Sequence, residues 1–147
     1  MTVIAWDGKV LAADRQTSIG STISTTRKIW KLKSGAMLAV SGTLDAALVL
    51  KKWYEDGADP TKWPLDFQKG TDWGEIIVVT EGRVLQYQST PEPIEALDEF
   101  MAWGVGCEAA LGAMAMGSGA IKAVEIASRF VLGCGNGCDY MCVEEEQ

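Results

Sequence analysis

Two apolar runs, Thr2–Trp6 and Lys9–Ala13, flank the dipeptide Asp7-Gly8, and no other feature narrows what this chain can fold into as much. Asp-Gly supplies the positive φ angles of a two-residue hairpin turn, so the runs are expected as paired antiparallel strands. Such a turn fixes the register: Trp6 faces Lys9, Ala5 faces Val10, Ile4 faces Leu11, Val3 faces Ala12 and Thr2 faces Ala13. Thr2 then lies beside Asp14 at the strand end, on the opposite face by strict alternation. Further strands are expected at Ile29–Lys33, Ala36–Ser41, Glu75–Thr80, Arg83–Gln88 and Gly137–Val143.

Helical periodicity appears three times. Thr43 is placed to N-cap a helix from Leu44 to about Asp56, with Gly57 as its stop. A second helix is expected over Gly106–Met116. A third is expected over Ala120–Phe130, with Lys122, Glu125 and Arg129 on one side and Ile121, Val124 and Ala127 on the other. Strands, helix, strands, two helices and a strand make an α+β sandwich.

At 147 residues and 48% apolar composition, one domain over 1–147 is expected, large enough to bury a core without metal or disulfide staples. The net charge of −7 disfavours phosphate backbones, so nucleic acid is set aside as a partner. The chain has no histidine, which excludes Ser/His/Asp and Cys/His catalysis and every His-bearing zinc site. Cys107, Cys134, Cys138 and Cys142 read as reduced thiols, and their spacing matches no zinc pattern, so neither metal nor cofactor is expected. The start of the chain has no secretory pattern, and the apolar stretch Ala36–Leu50 is interrupted by Ser41, Gly42, Thr43 and Asp45. A cytoplasmic protein with no membrane segment is expected. The six tryptophans are scattered, as core and subunit contacts would be, and Met114 and Met116 read as helix packing. The acidic tail Glu144–Glu146 reads as a solvated end.

Two places could carry chemistry. In Arg27-Lys28-Ile29-Trp30-Lys31-Leu32-Lys33, residues 28, 30 and 32 share one strand face, aligning a lysine with apolar neighbours. A carboxylate such as Asp14 would keep an inward Lys28 charged and oriented, whereas a basic rim of snorkelling side chains is the ordinary alternative. Gly42-Thr43 joins an apolar strand to a helix N-terminus, where backbone N–H groups can receive a developing oxyanion.

The segments MTVIAWDGKVLAADRQTSIG, LAVSGTLDAA, AWGVGCEAALGAMAMG, VEIASRF and GCGNGCDYMCV occur in an order that resembles the threonine-type N-terminal nucleophile hydrolases. These are the proteasome β-subunits, the HslV-type peptidase and their short, often phage-encoded relatives. The resemblance implies a four-layer αββα sandwich, shortened by one long helix that the Pro/Trp stretch Asp59–Trp73 replaces. It also implies a homo-oligomeric ring, peptide or unfolded-protein substrates and an ATP-dependent unfoldase partner, in a bacterial or phage-infected cytoplasm. Matched residue by residue, Thr2 is the nucleophile exposed when Met1 is removed, Asp14 the motif aspartate, Lys28 the lysine it orients and Gly42 the oxyanion glycine. Three positions depart from the pattern: Val105 stands where the family has a relay serine, and Val131 and Cys134 where it has a late Asp and Ser. Those departures leave a second reading open, an inactive ring protein with a structural or regulatory role.

Overall fold

The computed structural model describes residues 1–64 and 73–143. The acidic tail and most of the second half of the Pro/Trp stretch lie outside the described residues. In chain order the elements are β1 (Ile4–Trp6), β2 (Val10–Asp14), β3 (Gln16–Ile19), β4 (Thr22–Thr25), β5 (Ile29–Lys31), β6 (Met37–Gly42) and α1 (Leu44–Glu55). Next come β7 (Gly74–Thr80), β8 (Arg83–Tyr87), β9 (Ile94–Ala96), β10 (Met101–Trp103), α2 (Cys107–Ala115), α3 (Ala120–Phe130) and β11 (Cys138–Cys142). The fold is α+β. Between α1 and β7 the described residues hold only a single 3-10 turn at Pro60–Lys62, in keeping with the expected loss of a long helix.

The chain forms two compact units, Met1–Ile29 with Asp98–Gln147, and Trp30–Leu97. The first is built on a four-stranded sheet in the order β10-β1-β2-β11, antiparallel throughout, beside the small β3-β4 hairpin. Period-two alternation sends Val3, Ala5, Ala12 and Ala102 to one face, where they pack against α2 and α3. Helix α3 answers with Ala120, Ala123, Val124 and Ala127, the i, i+3, i+4, i+7 stripe of an amphipathic helix. Alanines on both surfaces let helix and sheet approach closely, and fully burying Val124 among them is worth roughly 1.5–3 kcal/mol.

The second unit is a five-stranded sheet in the order β5-β6-β7-β8-β9. Leu38, Val40, Ile76, Val78, Leu85 and Tyr87 share its core with Ala47, Leu50 and Trp53 of α1 and with Trp63. Trp53 meets Trp63 edge-on at 4.7 Å and Tyr87 at 5.3 Å, and its indole N–H donates to the Asp59 carbonyl at 2.8 Å. The buried ring therefore keeps its polar atom satisfied. Gly74 is where β7 passes closest to α1: a Cβ there would fall 2.3 Å from the Ala47 nitrogen.

The first hairpin differs from its sequence expectation. Ile4 pairs with Ala13, Ala5 with Ala12 and Trp6 with Leu11, a slide of two residues. The cause is the Asp7 side chain. Its Oδ1 accepts the backbone N–H of Lys9 at 2.9 Å and of Val10 at 2.8 Å, closing a wider loop over residues 7–10 in place of a two-residue turn. Because the slide is even, every side chain keeps its expected face. Asp7 Oδ2 also accepts the Ala120 N–H at 2.8 Å, so one aspartate shapes the hairpin and caps α3 from 113 residues away. Thr43 does occupy the N-cap position of α1, but its side chain makes no capping bond.

Candidate active site

The first unit brings Thr2, Asp14 and Lys28 together. Asp14 ends β2 directly beyond the apolar Leu11-Ala12-Ala13 run and is 0% exposed. Four donors hold its carboxylate. Oδ1 accepts the Val3 N–H at 3.1 Å and the Lys28 ammonium at 2.8 Å, and Oδ2 accepts the Gly135 N–H at 3.0 Å and the Gln16 N–H at 3.4 Å. With its lone pairs filled, the carboxylate tolerates burial.

Lys28 is 1% exposed, while Arg27, Lys31 and Lys33 of the same run stay exposed. The basic-rim alternative therefore holds for its neighbours and not for Lys28. Its ammonium bridges Asp14 and the carbonyl of Met1, at 3.2 Å, and that carbonyl belongs to the peptide bond joining Met1 to Thr2. A desolvated cation thus sits at the start of the chain, aimed by a desolvated anion.

Thr2 is 1% exposed while Met1 is attached. Its backbone is gripped by the turn after β10: Gly106 N–H donates to the Thr2 carbonyl at 3.2 Å, and Gly104 has φ +90° with room for no side chain, since a Cβ would fall 2.2 Å from that carbonyl. No hydrogen bond joins Thr2 to Asp14 directly among the bonds described. Lys28 spans the gap, bonding Asp14 on one side and the Met1 carbonyl of the peptide that leads into Thr2 on the other.

Gly42 lies in the second unit, at the end of β6, with φ +83°. Thr43 N–H donates to the Trp73 carbonyl at 2.7 Å, so the 43/73 pair is a hydrogen-bonded one. By the alternation of antiparallel pairs, Gly42 and Gly74 exchange no hydrogen bond with each other, and the Gly42 N–H is turned away from β7. A Cβ on Gly42 would lie 2.6 Å from the Trp73 carbonyl, which makes glycine obligatory there.

Of the departing positions, Val105 is 51% exposed in the turn that grips Thr2. Val131 follows α3, its N–H bonded to the Ala127 carbonyl. Cys134 is buried, and its thiol is pushed up to about 11 by burial and then by the nearby Asp14 charge. It stays protonated at neutral pH and is no rival nucleophile. Cys138 is likewise pushed to about 11, by burial and then by Glu125 and Asp139. Among the described residues no group of three or more His, Cys, Asp or Glu is placed to hold a metal ion. Nor is any helix there long and apolar enough to cross a membrane.

Sequence reasoning missed the backbone contributions. The Gly135 N–H on Asp14, the Gly104-Val105-Gly106 clamp on Thr2 and the Met1 carbonyl on Lys28 carry no side-chain signature. Clustered glycines at 104, 106, 133, 135 and 137 were the one available sign of them.

No family model and no curated protein matches the sequence. Solved structures do match. The Thiobacillus denitrificans protein BPH, in complex with epoxomicin, aligns with TM-score 0.71 at 17% identity over 99% of this chain and 100% of its own. Eukaryotic HslV from Trypanosoma brucei aligns with TM-score 0.73 at 17% identity over 98% and 99%. The chain therefore shares the fold of these two proteins over nearly its whole length.

Proposed function

We propose that this chain is a threonine peptidase of the HslV and proteasome type, with the Thr2 hydroxyl as nucleophile once Met1 has been removed. The observation that carries the reading is the buried Asp14–Lys28 ion pair fastened to the Met1–Thr2 peptide. A protein has little reason to bury a lysine at its first peptide bond for stability alone, since such pairs seldom repay their desolvation.

Removal of Met1 turns an amide nitrogen into an α-amine, which titrates near ~7.7–8.0 and can act as a base without histidine. The amine takes the Thr2 hydroxyl proton as the oxygen attacks a peptide carbonyl, and the Lys28 ammonium stabilises the developing negative charge on that oxygen. The C–N bond breaks, the amine passes its proton to the leaving nitrogen, and an ester remains on Thr2. Water activated by the same amine then hydrolyses the ester. For Gly42 the proposed role is donation of its backbone N–H to the carbonyl oxyanion.

The assignment extends to a homo-oligomeric ring acting on peptides or unfolded proteins, with an ATP-dependent unfoldase as feeder in the cytoplasm. The exposed valine at 105 and the protonated Cys134 favour the second reading, an inactive ring protein, because no side-chain proton relay stands at either position.

Intact-mass measurement decides between them. The peptidase loses Met1 and gains one molecule of epoxomicin, the compound bound by the Thiobacillus protein. A chain that keeps Met1 and takes up none is the inactive one. Thr2→Ala is expected to abolish turnover and leave assembly unchanged; turnover at the wild-type rate rules out Thr2 as nucleophile.

A further inference from the structure

Met1 marks a second place on the molecule. Its Cβ, Sδ and Cε lie 2.9, 2.8 and 2.8 Å from where a Cβ on Gly133 would stand, so the side chain runs lengthwise over that glycine. Gly133 has φ +95° and is buried, forming a bare backbone floor between Leu132 and Cys134. Met1 remains 64% exposed, so the seat is a shallow trough open to water.

The chemistry of the proposed reaction gives that trough a use. The leaving nitrogen must collect its proton from the Thr2 amine and must therefore lie within hydrogen-bond reach of it. Before trimming, the group attached to that same nitrogen is Met1. We propose that the Gly133 trough, vacated when Met1 is removed, receives the side chain of the first residue of the departing peptide. The inference rests on the threonine-peptidase reading and adds to it a leaving-side preference for unbranched apolar side chains. A methionine-like chain follows the floor from Cβ to its tip as Met1 does, whereas a β-branched residue places an extra heavy atom at the tightest point. A carboxylate gains nothing from a neutral glycine floor.

The test uses Met1-free protein and quenched fluorescent peptides identical on the acyl side, with Gly, Met, Val or Asp as the first leaving residue. The value of kcat/KM for Met is expected to exceed that for Gly, Val and Asp about two- to fivefold, the equivalent of one third of a methionine side chain leaving water. Gly133→Ala, which builds a methyl group into the trough, is expected to bring the Met-to-Gly ratio close to one. Epoxomicin labelling of the same preparation separates the two levels of failure. Labelled protein whose kcat/KM is indifferent to the leaving residue overturns the trough and leaves the peptidase standing. Trimmed protein that takes no label and cleaves no peptide overturns both.

Discussion

Lys28 shows how much one side chain can decide. Replacing it with methionine leaves the Asp14 carboxylate buried with backbone donors only, and breaking a buried pair in this way costs about 3–5 kcal/mol. Lys28→Met is therefore expected to lower the denaturation midpoint sharply as well as to end turnover. The double variant Lys28→Met/Asp14→Leu should recover part of the stability and none of the activity. Chemical denaturation and peptide cleavage on the same samples check both halves. Glu75 is a buried acid outside the proposed chemistry. Burial pushes its carboxyl above the ordinary value, against the smaller opposing effect of hydrogen bonds from Gln86 and Ser41. The folded state then holds this proton more tightly than the unfolded chain, so stability falls as pH rises from the ordinary carboxylate range through the raised value. In Glu75→Gln that decline should flatten in pH-dependent melting curves; an unchanged slope contradicts the assignment. Of these residues, Lys28 was legible in advance because a lysine in phase with Trp30 and Leu32 conflicts with the pattern of a solvated face. Glu75 was not, since a single acid at a strand end looks the same buried or exposed.

The elements were legible where one face is apolar and the other polar. Helix α3 runs over the expected residues, and β6, β7 and β8 lie within a residue or two of their apolar runs. The hairpin β3–β4 went unseen because it buries no face: Ile19 and Ile23 are 69% and 60% exposed, so the run lacks the alternation that announces a strand. Strands β9 and β10 have three residues each, too few for any period to register. The β1–β2 register departs from the two-residue turn that Asp-Gly implies as backbone alone, because the Asp7 carboxylate takes over the turn. That carboxylate yields a prediction at this scale. Asp7→Ala removes the only side-chain cap described on α3 together with the loop closure, at a cost of about 1–2 kcal/mol. Burial alone would raise the Asp7 carboxyl, but the N–H groups of Ala120, Val10 and Lys9 outweigh it and hold the group below its usual value. Its contribution is thus complete above pH of about 3.9 and disappears as acid protonates the folded form. Acid titration followed by circular dichroism should find the wild-type advantage over Asp7→Ala vanishing at the low end.

Across the whole molecule, several large apolar side chains are turned to solvent: Met116 at 90%, Phe130 at 72%, Leu132 at 91% and Leu97 at 86%. A chain that worked alone would be expected to cover more of them, and subunit contact is the usual use of such surface. Light scattering should accordingly report a mass several times that of the monomer for both the wild type and Thr2→Ala; a clean monomer contradicts the ring. The first unit also gathers residues from both ends of the chain, because β1 lies between β2 and β10 in its sheet. During synthesis the opening strand has one flank unfilled until residues 101–103 have been made, and the Asp7 cap has no helix to hold until residue 120 has followed. On the proposed peptidase reading, Met1 is consequently easiest for an aminopeptidase to reach while translation is under way, and exposure of the Thr2 amine becomes a contest between trimming on the ribosome and closure of the finished sheet.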